Sequence, residues 1–327
     1  MIINIFKKAR LNWPIYLLVY LLVLKSIWVV VQLQSAPDVL QNEFLTTFLP
    51  QPFAGLVSIV LASILVFFLA LLANGMSNRH HLMSKPTNLV AMSVVLVTCL
   101  GAELQGIGLP IGLFGLSLLI YNKLFKATVK EHIETNVFDV GALIGVGSLL
   151  FLPYIGFFVA FVLAIPLLSI PRKRYYGLAL FGFLLPWYVW AICLFMTNQL
   201  HWFEDWLATV KSTFLTFPAQ WNLFQELPLL FILLLITLLF GILFARRKRI
   251  PPSSRVLLLI GVFFTLGMLA AIFAFPEQRF KTMSVYLLGV CLLLANTYYY
   301  LPTNLARLLH WLCLIALLIY PVLNHLR

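Results

Sequence analysis

Apolar runs of a length that suits a hydrocarbon layer recur along almost the whole chain: residues 14–32, 53–75, 88–121, 138–170, 176–197, 226–245, 256–275, 283–299 and 304–324. A bilayer core about 30 Å thick takes about 20 residues of helix per crossing. Inside it every backbone N–H and C=O must be satisfied without water, which a helix does by itself. Only 10% of the 327 residues are charged and 62% are hydrophobic, whereas soluble domains carry about 25% charged residues. A water-soluble fold is excluded. The chain reads as all-α, one polytopic membrane domain over residues 1–327, with little left for an external domain.

Two of the runs, 88–121 and 138–170, do not fit one crossing each. As continuous helix either would extend about 50 Å at about 1.5 Å per residue, too long for one span and too short for two full spans and a turn. Each is expected to be a pair of short helices. The first is interrupted at Gly101-Ala-Glu-Leu-Gln-Gly-Ile-Gly-Leu-Pro110, the second near Gly145, Gly147 and Pro153. Broken helices at membrane depth persist where protein or a cavity covers the freed backbone groups. Counting each pair as two helices gives about eleven transmembrane helices.

Charge position tests this layout, because alternate counting assigns every loop a side before its charges are read. With the N-terminus in the cytoplasm, 17 of the 22 Lys and Arg residues fall inside, among them Lys7, Lys8, Arg10, Arg172, Lys173, Arg174 and the cluster at 246–255. Outside lie Lys211, Arg279, Lys281 and Arg327, with Lys25 inside a span. Such asymmetry is the positive-inside pattern. It also accounts for the net charge of +12 without nucleic acid, since the cations sit in short clusters between apolar runs. The first apolar run is long and lacks a small-residue cleavage site, so it reads as an uncleaved span. The expected location is a cytoplasmic (inner) membrane, multi-pass, with the C-terminus outside.

Cys99, Cys193, Cys291 and Cys313 all lie in apolar segments without a C-x-x-C pair, and read as packed thiols. The six histidines are scattered apart from the adjacent His80 and His81, whose side chains diverge, so no metal-ligand spacing is present. Phosphate-loop, dinucleotide and nucleophile-elbow motifs are missing too.

The candidate functional residues are therefore the few charges on the outer side or within spans. Lys25 is costly in a span by about 3 kcal/mol or more; it either binds a substrate or fills a polar helix contact. Asp38 and Glu43 occupy the first external loop, where an acid is either solvated or acts as a general base or a ligand for a divalent cation. Glu103 sits at the outer break of the first helix pair, partly out of water, as a functional carboxylate or a helix-terminal plug. Arg279 and Lys281 follow Phe273-Ala-Phe-Pro-Glu277 before another span. The planar fork of an arginine suits phosphate, and the bland alternative is headgroup anchoring. The loop 198–225, with Trp202, Trp206 and Trp221 among Phe and Leu, reads as an interfacial helix.

This order of features resembles the membrane core of the GT-C glycosyltransferases. The resemblance rests on the acidic first loop (Asp38, Glu43), on the paired helices with an acid at their outer turn (Glu103 to Tyr121, then Gly141 to Ile170), and on Pro276-Glu-Gln-Arg-Phe280. It implies transfer of a sugar or phospho-group from a polyprenyl-phosphate-linked donor on the extracytoplasmic face. Asp38 or Glu43 would be the base, Glu103 a metal or acceptor contact, and Arg279 the phosphate contact. The first loop is only about 20 residues, no adjacent Asp-Glu pair exists, and no soluble carboxy-terminal domain follows, which are departures from that family. The sequence also resembles an uncharacterised multi-pass family from the Bacteroidota. Two further readings stand beside the transferase: a non-catalytic membrane subunit or assembly factor of a cell-envelope or secretion complex, holding a protein partner through 198–225, and a lipid or solute transporter.

Overall fold

The computed structural model describes residues 2–7, 12–34, 53–128, 132–168, 173–199 and 252–325, with short stretches and single residues between 201 and 250. In chain order its helices are α1 (Ile2–Lys7), α2 (Trp13–Gln34), α3 (Phe53–Arg79), α4 (Leu89–Leu100), α5 (Leu109–Thr128) and α6 (Ile133–Leu150). They continue with α7 (Ile155–Leu168), α8 (Lys173–Met196), α9 (Pro252–Ala274), α10 (Arg279–Tyr300) and α11 (Thr303–His325). Among the described residues the single-turn 3-10 helices Ala102–Leu104, Leu152–Tyr154 and Pro276–Gln278 sit between them. No strand occurs among the described residues.

Among the described residues six helices are long and apolar enough to cross a membrane: Trp13–Val30 of α2, then α3, α5, α6, α8 and α10; α4, the stretch Leu152–Leu168 that includes α7, and parts of α9 and α11 are shorter apolar helices. The outward faces agree with an apolar solvent. On α8, Phe181, Tyr188, Phe195 and Met196 are all exposed, a contiguous apolar surface that water does not tolerate. At the other extreme, α4 is buried along its whole length and α10 from Thr282 to Tyr298. A helix that is apolar and covered all round is an interior helix.

The first break falls where glycine and proline are densest, between α4 and α5. The second lies at Phe151–Tyr154, beside Pro153, whereas Gly145 and Gly147 are inside α6. These glycines serve packing instead. A Cβ on Gly145 would run into the carbonyl of Phe183 on α8, and one on Gly147 into the ring of Tyr154. Neither pair consists of two short helices, as length arithmetic predicts. α4 and α5 have 12 and 20 residues, α6 and α7 have 18 and 14. The apolar runs understate α5 and α6 because their polar ends stay helical; Lys123 near the end of α5 reaches Asp139 on α6, Nζ to Oδ2 2.6 Å.

By contact the chain divides into two compact units, residues 1–115, 221–254 and 287–327 forming the first and 116–220 and 255–286 the second. In the second unit α6 and α8 meet backbone to backbone. A Cβ on Gly141 would lie 2.5 Å from the carbonyl oxygen of Ala179, and one on Gly182 would collide with the carbonyl of Phe138. Gly141 and Gly145 are four residues apart, the small-xxx-small spacing that lets apolar helices approach closely. α7 and α9 repeat the device, with Gly156 and Gly267 facing one another. The broken turn is closed by Tyr286, whose hydroxyl donates to the carbonyl of Pro153 at 3.0 Å. Beyond the end of α8, Trp206 packs at 4.7 Å from Trp187 and 6.1 Å from Phe203, ring centroid to ring centroid; Trp221 lies outside the described residues. Cys99, Cys291 and Cys313 are packed as expected, but Cys193 on the outer face of α8 is exposed.

Candidate functional site

The site builds from the first break, in the first unit. α4 ends because Gly101 leaves helical geometry for an extended conformation (φ −87°, ψ 109°). α5 begins at Leu109-Pro110, where a proline in the first turn gives up no helical hydrogen bond. The eight residues between, 101–108, free several backbone groups in an apolar setting, and each unpaired group would cost several kcal/mol in lipid. Side chains from three directions take them up. The buried Gln105 amide donates to the carbonyls of Thr98 (2.9 Å), Cys99 (3.2 Å) and Gly101 (2.7 Å). Trp28 of α2 donates its indole N–H to the same Cys99 carbonyl at 2.9 Å. Ser58 of α3 accepts from the backbone N–H of Ile107 at 2.8 Å.

Lys25 joins this frame. Its side chain is 3% exposed, and Nζ donates to the carbonyl of Leu104 at 3.3 Å. Two of the expected site residues, Lys25 and Glu103, are thus brought to one turn. They do not form an ion pair there: Lys25 binds backbone. Glu103 is half-buried in the turn Ala102–Leu104. The ion pairs among the described residues are Lys123–Asp139 and Arg174–Glu134, so the Glu103 carboxylate has no cation from that set.

Arg279 and Lys281 belong to the second unit. Arg279 opens α10 directly after the turn Pro276–Gln278 and is 7% exposed. Its Nη1 donates to the carbonyl of Pro276 at 3.0 Å, and the guanidinium carbon lies 5.3 Å from the centre of the Phe280 ring. The guanidinium is thus folded onto its own helix start rather than standing free at the outer surface. Lys281 is exposed. Asp38 and Glu43 lie outside the described residues. Among the described residues no three His, Cys, Asp or Glu side chains gather closely enough to hold a metal ion.

A family model matches residues 39–326, and its description is a family of unknown function, DUF6427. The chain belongs to this family. The DUF6427 match takes in both helix breaks, Glu43, Glu103, Arg279 and Lys281, whereas Lys25 and Asp38 precede its first residue. No curated protein and no solved structure matches the chain.

Sequence reasoning missed Gln105, Trp28 and Ser58, which hold the DUF6427 turn together, and a buried group formed by Tyr20, Tyr298, His310 and Cys313. Gln105 carries a readable signal, a lone amide between glycines in an apolar run. Trp28 and Ser58 carry none, because a Trp or Ser in a span has many other uses.

Proposed function

We propose that this DUF6427 protein is a multi-pass protein of a bacterial cytoplasmic membrane, with its N-terminus inside and about eleven crossings. In this reading it has a GT-C-like core and transfers a sugar or phospho-group from a polyprenyl-phosphate lipid at the extracytoplasmic face. The observation that carries the reading is Glu103. A half-buried carboxylate is held at a helix break whose backbone is tied down by Gln105, Trp28, Ser58 and Lys25, and no cation among the described residues neutralises it. A rigid frame around an uncompensated carboxylate is the arrangement a general base or an acceptor contact requires. Asp38 or Glu43, from the first external loop, supplies the second acid. In this reading Arg279 is the phosphate contact, with Lys281 and Lys25 as the other substrate-binding residues. The orientation is supported by the distribution of Lys and Arg.

The test is genetic and biochemical. Glu103→Gln and Asp38→Asn are expected to abolish a cell-envelope glycan or lipid-linked product at unchanged protein level. If both variants, and Arg279→Ala, leave envelope glycans intact, the catalytic reading is wrong. One observation favours the second reading, a non-catalytic subunit: the aromatic group of Trp187, Trp190, Phe203 and Trp206 beside the exposed Trp202 is of the kind that anchors partner proteins. A stoichiometric partner recovered in mild detergent, and lost in Trp202→Ala with Trp206→Ala, distinguishes it from the transferase.

A further inference from the structure

One end of the first unit is built around Tyr299, next to the last residue of α10. Lys7, which ends α1, donates from Nζ to the Tyr299 carbonyl at 3.1 Å, and its ammonium lies 5.5 Å from the centre of the Tyr299 ring. The Tyr299 hydroxyl is 2.6 Å from Oγ of Ser84, in the loop between α3 and α4. That loop is pinned on both sides. Where α3 closes, His81 takes left-handed geometry (φ 49°) and the N–H of Leu82 donates to the Ser77 carbonyl at 3.0 Å, a C-terminal cap that fixes the direction of the exit. Where α4 starts, the N–H of Thr87 donates to Oδ1 of Asn78 at 3.1 Å and the N–H of Asn88 to the Phe6 carbonyl of α1 at 2.9 Å. α1, the α3–α4 loop and the end of α10 are thus tied into one frame, with Ile3 and Phe6 buried beneath it.

The frame carries cations at its surface. Lys85 follows Ser84 directly, Arg79 is the last residue of α3, and Arg307 stands in the second turn of α11, which begins three residues after α10 ends. All three side chains are exposed. The segments that supply these elements, 1–37, 44–102 and 287–327, contain no Asp or Glu. Glu103 lies beyond the far end of α4, about 18 Å along at about 1.5 Å per residue. These elements therefore bring positive charge and no acid of their own. α3 and α10 are both long and apolar enough to cross a membrane, and both end here, so in a bilayer this frame lies at headgroup level. The anion met at that level is a phospholipid phosphate, which basic pockets between spanning helices bind. Of the Ser84 and Tyr299 hydroxyls, whichever accepts from the other keeps its own O–H for a further acceptor.

We propose that this frame is a binding site for an anionic phospholipid, whose phosphate bonds to the Ser84–Tyr299 hydroxyl pair and whose charge is met by Lys7, Arg79, Lys85 and Arg307. An excess of Lys and Arg on one side of a membrane orients a chain. A pinned loop, a fixed tyrosine and two hydroxyls add a place where one headgroup is retained. The surface lies at the opposite end of α4 from Glu103, so it stands apart from the transferase reading, and its test reads bound lipid rather than an envelope product.

Native mass spectrometry of the intact protein, released from nanodiscs of phosphatidylcholine with a minor share of phosphatidylglycerol, tests this by counting the lipid that stays bound. Both lipids carry a phosphate and only phosphatidylcholine carries a cation, so retention of phosphatidylglycerol several-fold above its share of the disc is expected. The double variant Lys85→Gln with Arg307→Gln should abolish that enrichment. Lys126→Gln with Lys173→Gln removes the same charge from the second unit and should leave it unchanged. Tyr299→Phe keeps every charge, removes one hydroxyl and should lower the enrichment several-fold. No enrichment in the parent protein, equal loss in the two double variants, or an unchanged Tyr299→Phe overturns the proposal. A second arm separates a lipid from a free anion: phosphatidylglycerol is expected to raise the melting temperature in detergent, and inorganic phosphate at the same concentration is not. An equal rise with phosphate assigns the frame to a free anion and overturns the lipid.

Discussion

The contact between α6 and α8 permits a sharp test, because one helix carries two glycines in opposite surroundings. A Cβ on Gly177 of α8 meets nothing within 4 Å, whereas a Cβ on Gly182, a little over one turn along, collides with the carbonyl of Phe138 and lies 3.2 Å from the N of Ala142. Alanine should improve the helix at both sites by about 0.5–1 kcal/mol relative to glycine. At Gly177 that gain is the whole effect. At Gly182 ordinary contact requires the backbones to separate by about an ångström, and forcing an atom into such a packed contact costs about 1–3 kcal/mol or more. Because the helix gain is common to both sites, Gly182→Ala is expected to be less stable than Gly177→Ala by the clash alone, about 1–3 kcal/mol or more, with Gly177→Ala equal to or above the parent protein. Unfolding in mixed micelles of increasing denaturing-detergent fraction reads the difference directly. Gly141→Ala, whose Cβ would sit 2.5 Å from the Ala179 carbonyl, belongs to the same contact. The double variant Gly141→Ala with Gly182→Ala should cost less than the sum, since separated helices relieve both clashes. Equal stability of Gly177→Ala and Gly182→Ala within about 0.5 kcal/mol would show that the two helices do not touch as described.

Three other expectations follow from named contacts. Trp28→Phe removes one indole bond to the Cys99 carbonyl and should cost about 1 kcal/mol; combined with Gln105→Leu the loss should exceed the sum, because that carbonyl then has neither donor, and additive losses would contradict the shared acceptor. Lys25→Met should leave stability unchanged or raise it, since replacing a poorly compensated buried ion by an apolar side chain of similar volume is often neutral or favourable by about 1–4 kcal/mol; a loss above about 2 kcal/mol would reveal an acidic partner for Lys25. Of the four cysteines, only Cys193 is exposed, so an apolar maleimide should modify it in the folded protein and reach Cys99, Cys291 and Cys313 only on unfolding, as mass spectrometry of the labelled peptides would record.

The helical class and the first break were legible because both follow from one-body properties. An apolar run of sufficient length is helical in lipid whatever its neighbours are, and Gly101, Gly106, Gly108 and Pro110 weaken a helix wherever they stand. The second break was legible only at Pro153. Gly145 and Gly147 carry the same sign of weakness, yet α8 and Tyr154 pack against them, and that contact stabilises the helix they would otherwise interrupt. Lys25 and Glu103 stood out as charges in an apolar chain. Their meeting at one turn did not, nor did the choice of the Leu104 carbonyl over a carboxylate as the partner of Lys25.

The sequence by itself determined the helical backbone of this protein, helices long and apolar enough to cross a membrane, and the short list of charges that are unusual in such helices, because each is a property of composition and local spacing. Tertiary structure decided which glycines are contacts and which are breaks, that Cys193 faces outward while the other three thiols are packed, and that Tyr20, Tyr298 and His310 share one buried polar group. Those outcomes depend on pairs of residues up to 290 positions apart, His310 and Tyr20 among them. An apolar chain gives many residues the same local character, so only the placement of one helix against another separates a buried tyrosine that has a partner from one that does not.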